Sequence, residues 1–174
     1  PHLDAIDTEE MLVYPILRKL FKTFGLTEML MGQYNKRLDK RKRRDAGEEV
    51  PKSKPPMDGG EMAAMRALPS VQISRHCPGM VTALGVSVGL TANAIMARGT
   101  VAQWEKYVPD LYSLDKIGAW AITEPASGSD AFGSMRCTAR LDGDEFVING
   151  QKTFITNGPH ADIIVLFAKF DNGA

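Results

Sequence analysis

The sequence predicts an α+β chain. An α-helical N-terminal domain, residues 1–115, leads into an antiparallel β-barrel-like domain, residues 116–174, that is truncated. Three observations carry this reading. Apolar residues recur at helical spacing as far as residue 113. From Ile117 onward the apolar runs become short and are separated by Asp142-Gly143-Asp144, Asn149-Gly150 and Asn157-Gly158, the pattern of strands joined by glycine turns. Both ends also read as cut. Pro1 opens abruptly, and the turn-like Asp171-Asn172-Gly173-Ala174 follows an apolar strand directly, so a fragment of a longer protein is expected.

Residues 15–24 form the first predicted helix. Pro15 suits a first helical position and Gly25 a stop. Ile16, Leu17, Leu20, Phe21 and Phe24 fall on one face, and Leu26, Met29, Leu30 and Met31 extend the apolar character into a short segment. The composition then turns basic. Lys36, Arg37, Lys40, Arg41, Lys42, Arg43 and Arg44 are followed by Glu48, Glu49 and a linker ending at Pro55-Pro56. Such a block can act as a localisation signal or polyanion patch. Like charges in a run are more often solvated, so residues 32–58 are read as a basic insertion or linker, either a solvated helix end or a mobile surface segment.

Residues 60–98 predict two helices, the first kinked or interrupted by Pro69, the second started by Pro78 and stopped by Gly99. From Met80 to Met96 the second is almost free of charge and carries Ala83, Gly85, Ser87, Gly89, Ala92 and Ala94. A helix apolar nearly all round is buried, and its small residues admit tight packing or a close ligand. Residues 100–113 form an amphipathic helix with a capping box at Thr100 and Gln103 and a core stripe of Trp104, Tyr107, Val108 and Leu111. Strands are expected at Ile117–Ile122, Arg136–Leu141, Glu145–Ile148, Thr153–Thr156 and Ile163–Phe167, with hairpins at Gly143 and Asn149-Gly150.

The bulk numbers exclude several function classes. The 174 residues carry 21 basic and 21 acidic side chains, so no global charge recruits nucleic acid or a membrane surface. Cys77 and Cys137 lie in different predicted domains, which suits a reducing compartment. No apolar run approaches the ~20 residues of a membrane span, and no signal peptide is visible. His76 and His160 stand apart from other ligand types and show no metal-site spacing, so both are read as structural.

Two segments carry the chemistry, AITEPASGSD at 121–130 and INGQKTFITNGPHAD at 148–162. Thr123 ends a strand, and Pro125 forces an extended exit. Ala126-Ser127-Gly128-Ser129-Asp130 then offers a glycine-opened turn with free N–H groups and hydroxyls, which can cradle a phosphate. Thr156 supplies a hydroxyl two residues after the aromatic Phe154. One aromatic face and two hydroxyls at strand ends suit a flavin, whose reduction places negative charge near N1 and O2. No G-x-G-x-x-G opens a helix after a strand, which disfavours a nicotinamide cofactor.

Together the two segments resemble the acyl-CoA dehydrogenase family, with its Thr-Glu-Pro-x-x-Gly-Ser-Asp signature and a following Asn-Gly-x-Lys-x-aromatic-Ile-Thr-Asn-Gly. Trp104, Tyr107, Pro109 and Lys116-Ile117-Gly118 fit the same pattern, and the resemblance runs from about residue 78 to the end and more weakly over 8–31. Residues 32–58 depart from it. The resemblance implies FAD, with Trp120 and Ile122 meeting it through the strand backbone and Thr123 at the pyrimidine edge. It also implies Gly128 and Ser129 at the diphosphate, Phe154 and Ile155 against the ring system, and Thr156 near N5. Phe154 stands where most members have tryptophan. Glu124 is not read as the base, because the resemblance assigns that role to a glutamate of a C-terminal helical domain absent from these residues, so residues 1–174 alone are expected to be inactive.

Ser129 would border the CoA path, and Thr82 and Val86 would line the acyl chain, with medium or longer apolar chains expected. The implied activity is desaturation of acyl-CoA to 2,3-enoyl-CoA in fatty-acid or related metabolism, with electrons leaving through an electron-transferring flavoprotein. The implied setting is a homo-oligomer, dimer or homotetramer, in a bacterial cytoplasm or mitochondrial matrix. The alternatives are a non-catalytic relative acting as scaffold or partner subunit, and an acyl-CoA oxidase.

Overall fold

A computed structural model describes residues 5–6, 11–50 and 59–171, the side chains of 59–66 excepted. The proline linker ending at Pro55-Pro56 and the terminal 172–174 lie outside the described residues. Helices come first: α1 Tyr14–Phe24, α2 Leu26–Asp45, α3 Gly59–Ser74, α4 Pro78–Arg98 and α5 Val101–Ser113. Strands follow: β1 Gly118–Ala121, β2 Thr138–Asp142, β3 Glu145–Asn149, β4 Ile163–Leu166 and β5 Lys169–Phe170.

Helix α1 has its proline in the first turn and ends at Gly25 in the left-handed conformation. Leu17 and Phe21 are buried, whereas Phe24 is 71% exposed and lies off the core. The short segment expected after Gly25 is instead a 20-residue helix that runs on through the basic block. Residues 36–45 therefore take the form of a solvated helix end, because lysine and arginine are good helix formers and oppose the dipole at its C-terminus. Its inner face is fixed on α5: Tyr34 meets Tyr112 edge-on at 6.3 Å, Arg41 lies 5.5 Å over Trp104, and Lys42 pairs with Glu105 at 2.6 Å. Pro69 lies inside α3, which continues as one helix to Ser74 instead of being interrupted.

Helix α4 is not uniformly wound. Gly85–Thr91 is π-helical between two α-helical ends, and such wider turns tend to mark functional or closely packed sites. Here the wide turn lays Ser87 and Thr91, both fully buried, against β1. The Gly118 N–H donates to Ser87 Oγ at 2.9 Å. At 21 residues, α4 is by length and composition apolar enough to cross a membrane, which corrects the expectation that no such run exists. The small residues Ala, Gly and Ser make it apolar without making it bulky, and its inner face is committed to β1 and α5. In α5 the capping box forms in full: the Gln103 N–H donates to Thr100 Oγ1 at 3.2 Å and Gln103 Oε1 accepts from the Thr100 N–H at 2.8 Å. Trp104, Val108 and Leu111 are buried as the stripe predicts, and Tyr112 joins them.

The β region differs from the expected antiparallel barrel. It forms two small sheets and no closed one among the described residues. Strands β2 and β3 make the expected hairpin across Gly143, but β1 pairs parallel with β4, Gly118 opposite Ile163, and β5 pairs parallel with β2. The Asn149-Gly150 hairpin and the Thr153–Thr156 strand do not form. Gly150 sits at φ +149 and a Cβ there would lie 2.6 Å from the Cys137 Cα, so the chain passes close over Cys137 instead of turning back. It then runs along the end of β1 outside any helix or strand before a 3₁₀ turn at Gly158–His160 returns it to β4.

Candidate functional site

The site forms where the chain leaves β1 and where residues 150–158 run back past that exit. Pro125 ends β1's extension, and Glu124 and Ser127 exchange two backbone hydrogen bonds of 3.0 Å, closing the turn at the strand's end. Ser127 Oγ donates to the Asp130 carbonyl at 2.7 Å, which shapes the next turn. Gly128 and Ser129 stand exposed at the tip, and a Cβ on Gly128 would meet open space.

Glu124 is the buried charge of this turn. Its Oε2 accepts from the Arg136 N–H at 2.6 Å, and its Oε1 accepts from the Cys137 N–H at 2.9 Å and from Lys152 Nζ at 2.8 Å. The side chains of Glu124 and Lys152 are 5% and 8% exposed. The Lys152 hydrogen bond, followed by the Arg136 N–H, holds the Glu124 carboxyl at a pKa of about 2, outweighing the burial that would raise it. A carboxylate so engaged is an anchor and a poor proton acceptor.

Lys152 Nζ also donates to the Ile122 carbonyl at 3.1 Å, and the Thr153 N–H donates to the Thr123 carbonyl at 3.0 Å. These bonds bring residues 152–156 alongside residues 122–124. Five residues on, Asn157 adopts the left-handed conformation at φ +66. Its Nδ2 donates to the Ala83 and Gly118 carbonyls at 2.9 Å each, and its Oδ1 accepts from the Tyr14 hydroxyl at 3.0 Å. One side chain thus joins α1, α4 and β1.

The structure brings most of the sequence-predicted site residues to this edge. Trp120 and Ile122 are half-buried at the end of β1, and the Trp120 ring lies 4.7 Å from that of Phe167. Thr123 and Thr156 are half-buried. Among the described residues the hydroxyls of Thr123, Ser129 and Thr156 have no protein hydrogen-bond partner. Phe154 is 92% exposed at φ +52, and Ile155 beside it is half-buried. The Asn157 bond to Ala83 sets Thr156 near the turn of α4 that holds Thr82 and Val86. Thr82 is exposed and donates to the Pro78 carbonyl at 3.3 Å, whereas Val86 is buried. A separate groove of about 470 Å³ lies between α4, α5 and β4, lined by Arg98, Tyr107 and Asp162 among others, and contains none of the predicted residues.

Sequence reasoning missed the roles of Lys152 and Asn157. Asn157-Gly158 reads as a plain turn, and nothing local ties Lys152 to a carbonyl 30 residues earlier.

The chain is similar to known proteins over this region. Residues 119–174 match the family model described as acyl-CoA dehydrogenase, middle domain. The mitochondrial isovaleryl-CoA dehydrogenase of Bos taurus is 44% identical over 100 residues, covering 58% of this chain and 23% of the relative. The solved butyryl-CoA dehydrogenase of Megasphaera elsdenii is 38% identical with a TM-score of 0.55, covering 58% of this chain and 26% of that one. A glutaryl-CoA dehydrogenase of Mycobacterium smegmatis in complex with FADH2 is 35% identical with a TM-score of 0.51, covering 55% of this chain and 24% of that one. The chain spans about a quarter of the length of the relatives it matches. The match of its β region to the family's middle-domain model and the relatives alongside support the acyl-CoA dehydrogenase family for this chain.

Proposed function

We propose that the full-length protein is an FAD-dependent acyl-CoA dehydrogenase that desaturates acyl-CoA thioesters to 2,3-enoyl-CoA. The observation that carries this reading is the set of three hydroxyls, Thr123, Ser129 and Thr156, without protein hydrogen-bond partners among the described residues, together with the exposed Phe154 ring on the segment whose Thr153 N–H bonds the Thr123 carbonyl. That donor set fits a flavin, which needs donors at its polar edge and an apolar surface against its rings. The relative solved with FADH2 and the relatives that act on acyl-CoA thioesters support it.

In this reading Thr123 donates toward the pyrimidine edge and Thr156 toward N5. Ser129 and the N–H groups around Gly128 receive the diphosphate, Trp120 and Ile122 border the cofactor through their backbone, and Phe154 and Ile155 cover the ring system. Bound FAD supplies the acceptor for the β-hydrogen. Thr82 and Val86 of α4 border an apolar acyl chain. Glu124 is not the base for the α-proton, since it is committed to Lys152 and two backbone N–H groups, and the base is expected from a C-terminal helical domain. Residues 1–174 alone are therefore expected to be inactive. Electrons leave the full-length enzyme through an electron-transferring flavoprotein.

The test is direct. Purified full-length protein should be yellow, release FAD on denaturation, and reduce an artificial electron acceptor with a series of acyl-CoA thioesters. A colourless protein that gains neither absorbance nor activity from added FAD refutes the reading.

A further inference from the structure

Residues 153–156 present the candidate flavin contacts without belonging to any helix or strand. A segment with no ladder of its own is ordinarily free to choose among conformations. This one holds Phe154 at φ +52, a conformation that an aromatic residue avoids without outside support. The support is visible at both ends. On one side Lys152 donates to the Ile122 carbonyl and to Glu124 Oε1, and the Thr153 N–H donates to the Thr123 carbonyl. On the other, Asn157 takes the left-handed conformation that asparagine tolerates, and bonds Ala83, Gly118 and Tyr14. The Gly158 N–H closes back on the Ile155 carbonyl at 2.9 Å. Between the pins the Phe154 side chain makes almost no contact and is 92% exposed, so its own packing does not fix the backbone.

We propose that Lys152 and Asn157 are positioning residues: they pin residues 153–156 in the receiving conformation before any cofactor arrives, so that ordering of this segment is completed in folding and not in binding. The proposal rests on the flavin reading of the site. Neither residue touches the cofactor in it. Both act through Thr123, Phe154 and Thr156, whose relative placement they set. Glu124 acts one step further back, fixing Lys152 against the chain at residues 136–137, just before β2.

The experiment uses the full-length protein and two readouts, the FAD dissociation constant by flavin fluorescence and amide hydrogen exchange of peptides covering 152–158 in the apoprotein. Lys152→Met and Asn157→Gly are the primary variants. Asn157→Gly keeps the left-handed backbone and removes every side-chain bond. Lys152→Met alone strands Glu124, so the double variant Glu124→Gln/Lys152→Met, which removes the buried charge and keeps an acceptor for one of the Arg136 and Cys137 N–H groups, covers the case in which the single variant misfolds. Each variant is expected to weaken FAD binding at least tenfold in the folded fraction and to speed exchange across 153–156, with Lys152→Arg restoring both. Variants that lose thermal stability while the folded fraction keeps wild-type FAD affinity and wild-type exchange would overturn the proposal, since residues that only stabilise the fold act in that way. If wild type takes up no FAD, the flavin reading falls. The exchange arm needs no flavin, and unchanged exchange there would overturn the pinning separately.

Discussion

Strand β1 lies close against the π-wound turn of α4, and Gly118→Ala tests the contact. A Cβ at Gly118 would lie 2.8 Å from Thr91 Cβ, 2.9 Å from Thr91 Cγ2 and 3.0 Å from Leu111 Cδ2. Thr91 and Leu111 are both fully buried, so neither can swing aside into solvent. The strand must move instead, and it is held there by the Gly118 N–H on Ser87 Oγ and by the Gly118 carbonyl on Asn157 Nδ2. Overpacking of this kind costs about 1–3 kcal/mol. With a urea slope of about 2 kcal/mol/M, a loss of about 2 kcal/mol lowers the unfolding midpoint by about 1 M. The assay is urea unfolding followed by tryptophan fluorescence, with Trp104 and Trp120 near the affected contact. Adding Thr91→Ala should recover only part of the loss, because that change removes Cγ2 and leaves the nearer Cβ in place. A Gly118→Ala protein within about 0.5 kcal/mol of wild type, the range of an inconsequential substitution, would refute the reasoning and show that helix and strand separate freely.

How far the sequence speaks for the fold depends on the range of the interaction. The end of α1 at Gly25, the Thr100/Gln103 capping box and the Gly143 hairpin were legible, because each is settled by residues within a few positions. The run of α2 through Lys36–Arg44 was legible only as one of two forms, a solvated helix end or a mobile segment, because a run of like charge does not announce the Tyr34 and Arg41 contacts that fix that helix on α5. The sheet was misread for the same reason. Asn149-Gly150 is a strong local turn signal, and the backbone passes there over Cys137, thirteen positions away in the chain, whose presence no local pattern announces. At the site, the hydroxyls and Phe154 are visible as types in a motif. The bonds that place them, Lys152 to Ile122 and Asn157 to Tyr14, span 30 and 143 residues and exist only once the chain has folded.

Three further outcomes test the remaining physics. Thr100→Ala removes the acceptor for the Gln103 N–H at the start of α5 and should cost about 1 kcal/mol of stability, with Thr100→Ser recovering most of it. Glu124 links stability to acid. Its folded pKa of about 2 lies below the ordinary 4.5, so the unfolded chain binds the proton first as pH falls, and the stabilisation is complete above about pH 5 and lost on descending toward pH 2. Glu124→Gln should flatten that portion of the stability profile, and an unchanged slope between pH 4.5 and 2 would count against the ion pair. The last prediction separates stability from cofactor affinity at one residue. Phe154 is 92% exposed, so removing its side chain forfeits little burial, and it sits at φ +52, where a residue with a Cβ is strained by about 1 kcal/mol. Phe154→Gly relieves that strain, although glycine also loosens the unfolded chain. The apoprotein should therefore unfold at no lower a urea concentration than wild type, while FAD affinity falls because the surface against the ring system is gone. Phe154→Trp keeps that surface and should retain affinity. A Phe154→Gly protein that is clearly less stable would show that the side chain is held by packing, and one that binds FAD as wild type does would remove Phe154 from the site.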